Sequence, residues 1–255
     1  MIPADDRGLT LGDGLFETIL AREGRLVLLD EHLDRMARGC EALGLPPLDR
    51  QAARRVCEEA AATASARAAV RLTLTAGSGG RGLDRPASSQ PRLFASVAAA
   101  PKPEAPARLV TATVRRNEGS PASRLKTLSY LDNVLAREEA RAAGADEALM
   151  LNNRGEVACA AAANIFWLKG GRLVTPALEC GVLDGIMRAR TIESARGIGL
   201  AVEESCAGRG EIDRAEAIFL TNSLIGLRPV EALDGKQMGS NAVTSRLAAL
   251  LQSFA

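Results

Sequence analysis

Strand-forming runs alternate with helix-spaced apolar residues along the chain, and the alternation breaks where Pro101, Pro103 and Pro106 punctuate a polar stretch. This pattern predicts an α/β protein with a small α+β domain over residues 1–105 and a larger α/β domain over 106–255. In the first part, two β-runs between Leu15 and Leu29 meet at Glu23-Gly24, the two-residue turn of a hairpin. Asp30 then reads as the N-cap of a helix carrying Leu33, Met36, Cys40 and Leu43, closed by Gly44. A second helix is expected from Asp49 to Ala64, then strands around Val70–Leu74 and Arg92–Ala99. In the second part the expected elements are a strand at Leu109–Val114 and a helix at Leu131–Ala143. An amphipathic helix follows at Ile186–Ile198, then strands at Leu200–Glu204 and Ala217–Leu220 and a closing helix at Ala242–Leu251.

Charge and composition narrow the function. Thirty-two basic residues against thirty-one acidic ones give a net charge of +1, which offers no field for nucleic acid or an anionic membrane. A small-molecule substrate is expected. The N-terminal stretch carries Asp5, Asp6 and Asp13 where a signal peptide needs a positive start and an apolar core, so the expected location is cytoplasmic. The five cysteines form no C-x-x-C pair and read as reduced thiols. His32 is the only histidine, which excludes a His-centred metal cage, and no metal is expected.

Only four of the basic residues are lysines. Lys102, Lys169 and Lys236 fall in turns, whereas Lys126 lies among apolar neighbours just ahead of a helix. Partial desolvation there would free its amine to act as a nucleophile or base; the alternative is a loop lysine whose charge reaches water. In Gly181-Val182-Leu183-Asp184-Gly185-Ile186-Met187-Arg188 a glycine directly precedes a helix, so the first amides of that helix, at Ile186 and Met187, suit a phosphate. Thr221-Asn222-Ser223, just after a strand, offers hydroxyls to complete such a cradle. His32 and Arg35 share a helix face, and Arg35 would add a charged contact.

Together these stretches resemble the class IV aminotransferases, which include branched-chain and D-amino-acid aminotransferases and aminodeoxychorismate lyase. The matching segments are Arg7-Gly8 with Gly12 to Thr18, His32 to Arg35, Leu125 to Leu128, Asn164-Ile165-Phe166, Thr175-Pro176, Gly181 to Arg188, and Thr221 to Leu224 with Pro229-Val230. The resemblance implies fold type IV, like that of D-amino-acid aminotransferase, and pyridoxal 5'-phosphate as cofactor. It further implies that Lys126 bonds the cofactor covalently, that Arg35, Ile186, Met187 and Ser223 hold its phosphate, that Gly185, Asn222 and Cys159 also line the cofactor site, and that the protein is a homodimer. Lys126-Thr127-Leu128, Ala163 to Trp167 and Gly185 to Arg188 are most similar to aminodeoxychorismate lyase, an enzyme of folate biosynthesis.

One position departs from the family. Where it carries a glutamate paired with the cofactor's pyridine nitrogen, five residues before Asn164, this chain has Cys159. Glu156, three residues away along a strand, faces the other side. A thiol is a weak donor, so the strong electron sink is expected to be missing, which suits elimination better than transamination. For the lyase reading an arginine is expected to bind the substrate carboxylates, with Arg115, Arg116 and Arg228 as the candidates. The alternatives are a class IV aminotransferase acting on D-amino or branched-chain amino acids and a cofactor-binding homologue with little catalysis.

Overall fold

A computed structural model describes residues 2–64, 66–100 and 105–254. The chain divides into two compact units, Met1–Pro101 with Leu125–Ser129, and Lys102–Arg124 with Tyr130–Ala255. Of the prolines expected to mark a linker, Pro101 and Pro103 lie outside the described residues. No helix among the described residues is long and apolar enough to cross a membrane.

The first unit contains α1 (Arg7–Leu11), β1 (Gly14–Arg22), β2 (Arg25–Leu26), α2 (Leu29–Ala42), α3 (Arg50–Ala62), β3 (Ala68–Thr75) and β4 (Arg92–Ala99). Its antiparallel sheet runs β2-β1-β3-β4. The hairpin turn forms as expected, because Glu23 and Gly24 both take positive φ, at 48° and 74°, matching the twist of the strands. Leu15, Ile19 and Ala21 from β1 and Val70, Leu72 and Leu74 from β3 pack against Leu33, Met36 and Cys40 of α2 and Ala53 and Cys57 of α3.

Two expectations shift here. The N-cap of α2 is Leu28, with φ 54° and no side-chain cap, and Asp30 sits in the first turn, where its carboxylate is bound by Arg54 instead. Asp49 does cap α3, accepting from the amide of Ala52 at 2.9 Å. The second shift concerns Lys126, expected in the larger domain. Its segment belongs to the first unit because it pairs with β1: the Phe16 amide donates to the Lys126 carbonyl at 2.9 Å and the Leu128 amide to that of Gly14 at 3.0 Å.

The second unit contains β5 (Ala107–Thr111), α4 (Pro121–Arg124), α5 (Leu131–Ala142), β6 (Glu147–Leu151), β7 (Val157–Ala160), β8 (Asn164–Lys169), β9 (Arg172–Pro176), α6 (Ile186–Gly197), β10 (Val202–Ser205), α7 (Arg209–Ile212), β11 (Ala217–Asn222), β12 (Gly226–Leu233), β13 (Lys236–Gln237) and α8 (Ala242–Leu251). Its mixed sheet runs β10-β9-β8-β11-β12-β5-β6-β7, with β13 beside β12. β6 is buried on both faces: Leu149 and Leu151 join the cluster around Trp167 and Ile218, while Ala148 and Met150 join that of Ala136, Ala140 and Cys180. Burial on both sides explains a strand that is apolar without alternation. β5 ends before the expected Val114 because the Glu139 carboxylate takes the Thr113 amide at 2.6 Å and its hydroxyl at 2.7 Å. The buried stripe of α6 includes Arg188 and Thr191, so this helix is less amphipathic than its sequence suggested. Arg188 donates to the Pro176 carbonyl at 3.0 Å and pairs with Glu204 at 2.5 Å.

Candidate active site

In the first unit the alternation of β1 puts Glu17 on the face of Leu15 and Ile19, against α2. There its carboxylate is 1% exposed and held from two sides. Arg35 donates through Nε to Oε1 at 2.8 Å and through Nη2 to Oε2 at 2.6 Å, and His32 Nδ1 lies 2.6 Å from Oε2. Burial opposes the charge on Glu17, but Arg35 and His32 outweigh it and hold the carboxyl down at about 2. Burial pushes His32 below its usual value, so the imidazole is neutral. Nδ1 therefore carries the proton towards the ionised carboxylate, and Nε2 is a buried acceptor without a hydrogen-bond partner among the described residues. The resemblance gave Arg35 a role at the phosphate and included Glu17 in a matching segment without assigning it one; the structure pairs the two.

Lys126 is half-buried in the turn ahead of α5, its Nζ 4.3 Å from the centre of the Phe16 ring, over which the Arg71 guanidinium also lies at 3.7 Å. Next to it, Thr127 Oγ1 is buried without a hydrogen-bond partner among the described residues. The Arg7 and Asp13 positions of the matching segments build scaffold. Arg7 Nε donates to Asp13 at 2.9 Å, and its other nitrogens hold the carbonyls of Gly82, Leu83 and Asp84, pinning the loop over 78–89.

In the second unit Gly185 is the N-cap of α6, without a side-chain cap, and Ile186 and Met187 begin the helix. A Cβ on Gly185 would collide with Asn164 Oδ1, whose Nδ2 donates to the Leu183 carbonyl at 3.0 Å. Asn164 opens β8 and pairs with Thr221 of β11, so Gly185 and Thr221-Asn222-Ser223 are both tied to this one residue. Asn222 spends its side chain on the turn: Oδ1 accepts from the amides of Leu224 and Ile225, each at 2.9 Å, and Nδ2 donates to the Ala162 carbonyl at 2.9 Å. A ligand contact from Asn222 would use its main chain. Ser223 is half-buried in that turn, and Thr221 Oγ1 is buried with no partner among the described residues. A cleft of about 470 Å³ lies beside this turn, lined by Tyr130, Asn133, Arg137, Ala161, Asn222 and Arg228 among others.

Cys159 lies on β7, 7% exposed, opposite Met150. Burial pushes its thiol up; Arg116 nearby pulls it down and Glu147 pushes it further up, so the sulfur stays protonated at neutral pH. Glu156 does not replace it, because its carboxylate is held by Asn152 Nδ2 at 2.6 Å and by Arg154 at 2.8 Å. Arg116, one of three arginines that could have met a substrate carboxylate, is buried and occupied. Its Nε donates to the Gly181 carbonyl at 3.0 Å, Nη1 to Asn133 Oδ1 at 3.0 Å and Nη2 to the Ser123 carbonyl at 2.5 Å. Arg228 is likewise committed to the carbonyls of Ala105 and Pro106 and to Asp146. Arg115 is exposed.

The donor set suits a phosphorylated aldehyde cofactor. The first unit carries an amine beside an aromatic ring and a half-buried arginine, and the second carries a helix start without a side-chain cap, a serine hydroxyl and a buried threonine hydroxyl without a partner among the described residues. The family described as "Amino-transferase class IV" matches residues 14–233. The chain belongs to this family. It is therefore a pyridoxal-phosphate-dependent enzyme of fold type IV. A protein of Methanocaldococcus jannaschii to which branched-chain-amino-acid aminotransferase activity is ascribed is 34% identical over 98% of this chain and 88% of its own. The aminodeoxychorismate lyase of Bacillus subtilis is 29% identical over 93% of this chain and 83% of its own. The crystal structure of 4-amino-4-deoxychorismate lyase from Pseudomonas aeruginosa superposes with a TM-score of 0.91 at 35% identity, covering 99% of this chain and 95% of that one. Both activities of the family are thus present among its relatives.

Proposed function

We propose that this enzyme is a lyase that converts 4-amino-4-deoxychorismate to 4-aminobenzoate and pyruvate. The observation that carries the reading is the protonated, buried thiol of Cys159 where the family carries a glutamate. When bound, pyridoxal phosphate engages the substrate amine and draws electrons from the adjacent carbon. The amides of Ile186 and Met187, the Ser223 hydroxyl and the Arg35 guanidinium would hold the phosphate, and Gly185 would leave the helix start open to it. Lys126 is the anchoring amine. Freed as the substrate amine binds, its Nζ would take the proton from the substrate's C4; the enolpyruvyl group would leave and take up a proton to become pyruvate, and the ring would become aromatic. The Cys159 thiol, a weak donor, would offer the cofactor's ring nitrogen little support, which would favour a reaction with a prompt leaving group. Of the three candidate arginines, Arg115 is the exposed one, and we assign it to a substrate carboxylate. We take the working form to be a cytoplasmic homodimer.

The similarity to the Methanocaldococcus jannaschii protein favours a second reading, an aminotransferase for branched-chain or D-amino acids. Installing Cys159→Glu and assaying pyruvate release from aminodeoxychorismate beside amino-group transfer from amino acids separates the two. The lyase reading expects transfer to rise relative to elimination; a gain in elimination with no gain in transfer would count against it.

A further inference from the structure

Strands β9 and β10 run parallel, with Ser205 opposite Pro176, and leave the sheet side by side. The Ala177 amide donates to the Ser205 carbonyl at 3.1 Å, so the chain stays paired for one residue beyond the strands. Cys180 then closes a short turn on one side, its amide donating to the Ala177 carbonyl at 3.0 Å, and Cys206 follows β10 directly on the other. Cys206 is held from its far side by the Ala207 carbonyl, which accepts from Val157 at 2.8 Å. The outcome is two reduced thiols with Sγ atoms 2.9 Å apart, Cys180 buried and Cys206 exposed. The Glu156 carboxylate lies within 4.8 Å of both. The two cysteines lie 26 positions apart, so no local sequence motif announces the pair.

We propose that Cys180 and Cys206 form a reversible disulfide by exchange with a low-molecular-weight disulfide, Cys206 being the attacking sulfur. The Cys206 thiol loses its proton to water and its sulfur attacks one sulfur of the small disulfide. That S–S bond breaks, and one small thiol leaves after taking up a proton. Cys180 then gives up its proton and attacks the Cys206 sulfur of the mixed disulfide, expelling the second small thiol. Two protein thiols are oxidised and one small disulfide is reduced to two thiols. Closing the bond brings the sulfurs from 2.9 Å to about 2.05 Å, a movement below about 1 Å that the flanking hydrogen bonds can absorb.

A metal ion would ask for more. Two thiolates on a tetrahedral zinc stand about 3.8 Å apart, given a Zn–S bond of about 2.3 Å. Glu156 could ligate only through Oε1, since its Oε2 already holds Arg154 and Asn152. The bond would tie the turn ahead of α6 to the end of β10, next to Gly181, whose carbonyl anchors Arg116.

The test treats the holoenzyme with oxidised glutathione and follows it by thiol titration under denaturing conditions, intact mass and peptide mapping. The expected result is a loss of two of the five thiols and a mass lower by about 2 Da, with a dithiothreitol-reversible cross-link between the peptides of Cys180 and Cys206. Cys180→Ser and Cys180→Ala should instead stop at one glutathione on Cys206, and Cys206→Ser should form neither product. A cross-link through another cysteine, or no loss of thiols, overturns the proposal. So does purified enzyme that holds zinc through both cysteines and resists oxidation until the metal is chelated.

Discussion

Replacing Arg116 with lysine keeps the charge and removes the fork. The guanidinium spans three acceptors on three segments: the Gly181 carbonyl, Asn133 Oδ1 and the Ser123 carbonyl. An ammonium is a point donor and can satisfy one of these well from that position. A hydrogen bond from a charged group contributes about 1.5–3 kcal/mol, and the two acceptors left behind are buried. Arg116→Lys should therefore cost about 3 kcal/mol or more in urea unfolding followed by far-UV circular dichroism. Arg116→Met, which also removes the buried charge, should be comparable. The loss should be local as well as global. Asn133 Nδ2 donates to the Ala161 carbonyl at 2.7 Å, so amide exchange should quicken at residues 178–185 and near 161 before it does in the rest of the sheet. A cost below about 1 kcal/mol for Arg116→Lys, with unchanged exchange in the turn ahead of α6, would refute the view of Arg116 as the clamp on that turn.

Two further outcomes follow from the geometry. Gly185→Ala should push the start of α6 away from Asn164 and weaken pyridoxal phosphate binding at least tenfold while sparing the fold, as read by equilibrium titration of the cofactor; unchanged affinity would remove Gly185 from the phosphate site. The Glu17 carboxyl, lowered from 4.5 to about 2, stabilises the folded state above its unfolded value and loses that contribution as pH falls from 4.5 through about 2. The shift corresponds to about 3 kcal/mol. Its titration in carboxyl-labelled protein should have its midpoint near 2, and a midpoint near 4.5 would mean that the Arg35 and His32 contacts do not form.

Local signals were legible in the sequence because short-range chemistry decides them. Glu23-Gly24 needs positive φ at both turn positions, Asp49 satisfies the first turn of α3, and Gly144, at φ 69°, ends α5. Asp30 misled because the same carboxylate that could cap α2 finds Arg54, a partner on another helix. The candidate site reads in the sequence as a set of segments, and their wiring does not. Nothing near Lys126 in sequence reveals that its main chain pairs with Phe16, more than a hundred residues earlier, or that Arg71 shares the same ring. Glu17, Arg116 and the Cys180–Cys206 pair are likewise products of non-local packing. Residues chosen as polar ligands for their type alone can prove to be occupied, as Asn222 and Arg228 are.

The central claim is that Lys126 is the amine that anchors pyridoxal phosphate. Borohydride reduction of the cofactor-loaded protein, followed by peptide mapping, tests it most directly. The claim predicts a phosphopyridoxyl mass on the peptide containing Lys126 and none on Lys126→Ala. The same label on Lys102, Lys169 or Lys236, or persisting in Lys126→Ala, would contradict it.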